Sequence, residues 1–151
     1  MKFTTRKLNY FLALKLPSAF LMGVRTKYID NSKCIVVVKH RWINQNPFDS
    51  MFWAVQGMAA ELATGALLIN KIKTSKRSIS MLVISNRASF NKKAKGLITF
   101  CCTQGIVVDS VIKKAIESGE GQRFFLTAAG VDISGDKVCS FDFEWSIKLK
   151  P

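Results

Sequence analysis

The chain has 151 residues, 48% of them hydrophobic, which is enough for one full core and sets a single domain over residues 1–151 as the expectation. Lys and Arg outnumber Asp and Glu by 23 to 10, so the net charge of +13 calls for an anionic partner: nucleic acid, an acidic membrane surface or a phosphorylated small molecule. One histidine and four cysteines without C-x-x-C spacing (Cys34, Cys101, Cys102, Cys139) argue against a zinc site, and neither metal nor cofactor is expected.

Residues 1–20 are basic and then apolar, in the outline of a secretory signal. Lys15 and Pro17 break that apolar stretch, however, and no small-x-small cleavage site follows. Phe3, Lys7, Tyr10/Phe11 and Leu14 predict instead a short amphipathic helix, capped by Thr4 or Thr5 and stopped before Pro17. A cytoplasmic protein is expected. Residues 20–29 and 33–43 read as strands, with Asp30, Asn31 and Ser32 supplying the chemistry of a hairpin turn.

Residues 46–70 are the stretch around which the rest is organised. Between positions 51 and 69 the only formal charge is Glu61, and no proline intervenes. This predicts an α-helix apolar nearly all round, and therefore buried, with Asp49 or Ser50 as its N-cap. A membrane span is the weaker reading, because Gln56, Glu61 and Thr64 interrupt it. A central acid alone costs about 2.5–3.5 kcal/mol on insertion. At 100° per residue Ser50, Ala54, Gly57, Glu61, Gly65 and Leu68 share one face, mostly small, so a ligand can approach there. Its carboxylate must find donors or a cation, or have its pKa raised by desolvation, which suits a catalytic acid or base.

Residues 71–78 form a basic linker. Strands at 79–90 and 97–103 follow, read as a pair joined by a turn at 91–96. Asp109 caps a short helix over 109–118, ended by Gly119 and Gly121. Strands at 123–133 and 137–148 flank the turn Ser134-Gly135-Asp136, with Cys139, Phe141, Phe143, Trp145 and Ile147 turned to a core. The sum is an α+β arrangement: a six-stranded antiparallel sheet wrapped around a long central helix, plus the short N-terminal helix.

The order and spacing of these residues resemble the hotdog-fold thioesterases of the phenylacetyl-CoA type, whose signature is N-x-x-G-T-x-H-G-G-x6-D/E. Asn46 matches the asparagine, Ser50 the threonine and Glu61 the helical acid, without a gap, while Asp49 replaces the glycine and Phe52-Trp53-Ala54 replace His-Gly-Gly. Residues 90–96 are similar to the family's Y-x-x-P-A-x-G turn without its proline, and residues 132–138 followed by Trp145 to its closing hairpin. The likeness is nearest to an uncharacterised branch of that superfamily, a domain of unknown function.

The resemblance implies hydrolysis of an acyl-CoA, with Glu61 as general base or nucleophile and Asn46 polarising the thioester carbonyl. Backbone amides at the helix start, around Ser50, Phe52 and Trp53, would receive the oxyanion. It implies a homodimer or dimer of dimers with sites between subunits, and coenzyme A phosphates near Arg87, Lys92, Lys93 and Lys95. The alternative is a non-catalytic acyl-CoA or lipid-binding module, because Trp53 is bulky where the family has glycine and Phe52 lacks the donor of the family's histidine. Against nucleic acid, the basic residues are scattered and no array of exposed aromatics for base stacking is evident. His40 lies upstream of the motif and reads as structural, and the cysteines as buried and inert.

Overall fold

The computed structural model describes residues 4–151. Its helices are α1 (Thr5–Lys15), α2 (Pro17–Leu21), α3 (Trp53–Ser75) and α4 (Gly105–Ser118), with a 3-10 turn at Trp42–Asn44. The strands are β1 (Arg25–Ile29), β2 (Cys34–Lys39), β3 (Ile79–Phe90), β4 (Leu97–Cys102), β5 (Gln122–Val131) and β6 (Lys137–Leu149). All six make one antiparallel sheet in the order β1-β2-β4-β5-β6-β3. Helix α3 lies against one face and touches five of the strands. Its Val55, Ala59, Ala63, Leu67 and Leu68 are buried with Phe100, Leu126, Phe141 and Ile147 from the sheet. Among the described residues no helix is long and apolar enough to cross a membrane.

The α+β reading holds, and the inward alternation of Cys139, Phe141, Phe143, Trp145 and Ile147 on β6 is as expected. The strand pairing differs in one respect. β3 does not pair with β4 across residues 91–96; it pairs along its full length with β6, and β4 lies between β2 and β5. Matching lengths explain this. The 12 residues of β3 saturate their ladder only against the 13 of β6, while the six of β4 match the six of β2.

Several boundaries move for local reasons. The first strand starts at Arg25 instead of residue 20, because Pro17 at the first helical position opens α2. The second strand stops at Lys39. There the Asn44 amide donates to the carbonyls of Lys39 and Met22, and its Oδ1 accepts from the Arg41 amide, folding the chain into the 3-10 turn. The supposed linker at 71–78 is mostly the last turns of α3, since Lys71 is buried there with its ammonium on Asp109 of α4. Asp109 is therefore an ion-pair partner within α4, which begins at Gly105, instead of an N-cap. Gly105 has to be glycine: a Cβ there would stand 2.2 Å from the Asn31 carbonyl oxygen.

Helix α1 is capped by the Thr4 hydroxyl, which accepts from the Lys7 amide. It buries Leu8 and Leu12, while Tyr10 and Leu14 face solvent. The Asn9 side chain sets this rotation by bonding the backbone N–H and C=O of Thr26 on the edge strand β1. Phe3, the other member of the expected face, lies outside the described residues.

Candidate active site

The loop before α3 is built on Asn46. Its Oδ1 accepts from the amides of Phe48 and Ser50, its Nδ2 donates to the Ser50 hydroxyl at 3.0 Å, and its own amide donates to the Ser50 carbonyl. Asp49, where the related signature has glycine, stands at φ 55, a left-handed conformation that Asp tolerates better than most residues. The loop is further tied to the core by the Met51 amide on the Ala94 carbonyl and the Phe52 amide on the Asn44 carbonyl. Asn46 and Ser50 thus hold each other, and their polar groups are mostly committed to the loop.

Neither Asp49 nor Ser50 caps the helix. α3 begins at Trp53 with Phe52 as its N-cap and no side-chain cap. The amides of Val55 and Gln56 reach the Phe52 carbonyl, whereas those of Trp53 and Ala54 find no acceptor among the described residues. Two uncapped amides at the positive end of a 23-residue helix are a place for developing negative charge. They border an open cleft of about 500 Å³ lined by Asn46, Ser50, Phe52, Trp53, Gln56 and Phe90, with Lys92 and Lys93 on its rim. Trp53 is 55% exposed and packs edge-on to Phe52 at 6.0 Å, so the two rings form a wall of the cleft instead of filling it. Gln56 escaped the sequence reading as a site residue. It is buried, its Nε2 donates to the Met51 carbonyl, and its Oε1 has no partner among the described residues. The signal was there: it is the one amide within the first turns of an otherwise apolar helix.

Glu61 lies two turns further along α3 and does not line that cleft. Eight residues at 1.5 Å each put it about 12 Å along the axis from Trp53. Its face is the small one predicted. A Cβ on Gly57 would meet the Phe141 ring at 3.4 Å, and one on Gly65 would meet Trp145 at 3.2 Å and the Glu61 Oε1 at 3.5 Å. Trp145 is locked there, its indole N–H donating to the Thr64 hydroxyl at 3.1 Å, and that hydroxyl donates to the Glu61 carbonyl. The Glu61 carboxyl is half-buried and has no cation or hydrogen-bond donor among the described residues. Burial raises its pKa, with no ion pair to offset it. Beyond β6 is the edge strand β3, whose residues Val83, Asn86 and Ala88 stand opposite Trp145, Phe143 and Phe141 and are exposed or half-buried.

The four cations expected around a phosphate are not gathered. Lys92 is held by Asp132 and Asp136 of the β5–β6 turn, at 2.6 and 2.8 Å, which raises its pKa to about 12. Lys95 pairs with Asp49 at 3.3 Å, and Lys93 donates to the Phe48 carbonyl. Arg87 is in a different cleft, with Ser85, Phe125 and Asp142. His40 has a buried Nε2 without a partner among the described residues, and its backbone amide donates to the Gly96 carbonyl. The four cysteines are free thiols, three of them buried; desolvation pushes Cys34 up to about 12 and Cys102 up to about 11.

Residues 4–147 match the family DUF4442, described as a domain of unknown function. The chain belongs to this family. Among solved structures this DUF4442 protein is similar to a protein of unknown function and probable thioesterase from Pseudomonas aeruginosa, at 20% identity over 99% of each chain with a TM-score of 0.87. It is similar to a protein of unknown function from Chlorobaculum tepidum, at 17% identity over 97% of this chain and 94% of that one, TM-score 0.82. It is also similar to a thioesterase from Haemophilus influenzae, at 11% identity over 99% and 93%, TM-score 0.76. No curated protein matches the DUF4442 chain. At such identities these likenesses establish its fold alone, a hotdog.

Proposed function

We propose that this DUF4442 protein hydrolyses an acyl-CoA or related acyl thioester, with Glu61 as the general base on water or as the nucleophile. The observation that carries this is the carboxyl itself: half-buried, without a cation among the described residues, and with burial holding its pKa above the ordinary value. As a base, Glu61 takes a proton from water as the water oxygen bonds to the thioester carbon. The tetrahedral oxyanion then collapses, the C–S bond breaks, and the proton goes to the departing thiolate. The uncapped amides of Trp53 and Ala54 suit that oxyanion, because aligned backbone dipoles stabilise charge without reorganising. Asn46 serves chiefly by holding the loop in place.

A separation of about 12 Å along one helix is too long for both groups to reach one carbonyl carbon. The site is therefore shared: Glu61 of one protomer works with the helix start of a second, in a homodimer or dimer of dimers. The exposed edge of β3 favours such pairing, since an unpaired strand of this length otherwise invites aggregation. Lys93 on the cleft rim is the cation best placed for a coenzyme A phosphate, Lys92 being doubly paired.

The test is turnover of a panel of acyl-CoAs by wild type and Glu61→Gln. Loss of about 10²–10⁴-fold in the variant supports the reading, and equal rates or no turnover by either end it. The second reading, acyl-CoA binding without hydrolysis, is favoured by the wall of Phe52 and Trp53 around the cleft. Saturable binding with no release of free thiol would select it.

A further inference from the structure

The N-terminal face of the molecule takes no part in the proposed chemistry. No acidic residue precedes Asp30 in the chain. Helix α1 buries the Leu8–Leu12 row and turns two others outward, each spaced by four residues and so aligned along the axis: Arg6, Tyr10 and Leu14, and Lys7, Phe11 and Lys15. Tyr10 is 69% exposed and Leu14 70%. Among the described residues Arg6, Lys7 and Lys15 have no carboxylate within ion-pair distance. Leu14 of α1 and Phe20 of α2 bound a groove of about 490 Å³.

The surface continues past α2. The Asn44 amide donates to the Met22 carbonyl at 3.0 Å, and the Arg41 guanidinium lies 3.6 Å from where a Cβ on Gly23 would be. This docks the 3-10 turn beside the end of α2, where Leu21 is 65% exposed and Trp42 82%. Cations thus alternate with exposed Tyr, Leu and Trp, without a carboxylate among them. That is the composition by which a peripheral protein sits on a bilayer: basic groups meet lipid phosphates while aromatic and leucine side chains enter the headgroup zone. No packed core uses these apolar groups, and charge complementarity selects the occupant.

We infer that α1, α2 and the 3-10 turn form a docking face for an anionic phospholipid membrane, held by Arg6, Lys7, Lys15 and Arg41 and seated by Leu14, Leu21 and Trp42. The inference does not rest on the hydrolytic reading.

Co-sedimentation of the full chain with vesicles tests it, comparing phosphatidylcholine alone with an equal mixture of phosphatidylcholine and phosphatidylglycerol. The protein should partition onto the anionic vesicles only, and added salt should release it. Each surface cation adds about five-fold to binding, so neutralising Arg6, Lys7 and Lys15 should cost on the order of a hundredfold and reversing them to Glu well beyond that. The neutral set Arg6→Gln, Lys7→Gln and Lys15→Gln guards against a folding defect and should fall between. Leu14→Ser and Trp42→Ala should each cost about tenfold. Glu61→Gln should bind as wild type does, which keeps this outcome separate from the fate of the thioesterase proposal. Failure to bind anionic vesicles, equal binding to neutral ones, or unchanged binding by the reversed variant would overturn the inference. So would a wild-type oligomer, seen by light scattering, that Leu14→Ser or Trp42→Ala dissociates, since a second copy would then cover the face.

Discussion

Replacing Thr64 by Val tests whether the wall beside Glu61 is held by one hydrogen bond. Thr64 is fully buried, and its hydroxyl accepts from the Trp145 indole N–H at 3.1 Å while donating to the Glu61 carbonyl at 3.0 Å. Valine keeps the volume and has nearly the same helix propensity, so the change isolates the hydroxyl. It strands a buried indole N–H, at a cost of about 1–3 kcal/mol. For a chain of this size each kcal/mol lowers Tm by about 2–4 °C, giving a fall of roughly 2–12 °C. Urea denaturation should show a lower midpoint with an unchanged slope, because the area exposed on unfolding is the same. Trp145→Phe removes the donor instead, and in the double variant nothing is left unpaired. The two losses should then sum to more than the double variant shows, by about 1 kcal/mol or more. Stability within about 0.5 kcal/mol of wild type for Thr64→Val, or strict additivity in the cycle, would refute the argument. In either case Trp145 would be held by packing alone.

Four further outcomes follow from the structure. Glu61→Gln should be more stable than wild type at neutral pH: the folded chain holds this carboxyl's proton above its ordinary value of 4.5, so wild-type stability falls as pH rises from there through the folded pKa, while the variant's does not. Melting curves across pH check the sign, and parallel curves would refute it. Gly105→Ala should cost at least about 2 kcal/mol in denaturant titration, because a methyl 2.2 Å from the Asn31 carbonyl oxygen must displace backbone. Asp109→Asn leaves the buried Lys71 ammonium without its carboxylate and should cost about 1–2 kcal/mol, discounted for the exposure of Asp109. Lys71→Met should be close to neutral, since its stem already lies in the core.

What could be read from residue order alone was whatever local periodicity expresses. The apolar run with one carboxylate made a buried helix, and the alternation around Phe141 and Trp145 made an inward-facing strand. The spacing from Asn46 to Glu61 placed a loop just ahead of the helix that carries the acid, and Asp30 and Gly135 marked turns that are present. Non-local pairing decided the rest. That β3 ladders with β6, that Lys71 belongs to a helix because α4 brings it a carboxylate, and that Lys92 is neutralised by a hairpin forty residues away depend on groups distant in the chain. So does the isolation of Glu61, because a carboxyl's pKa answers to everything packed around it. A helix pattern declares what one segment offers to its surroundings; only the assembled sheet determines what surrounds it.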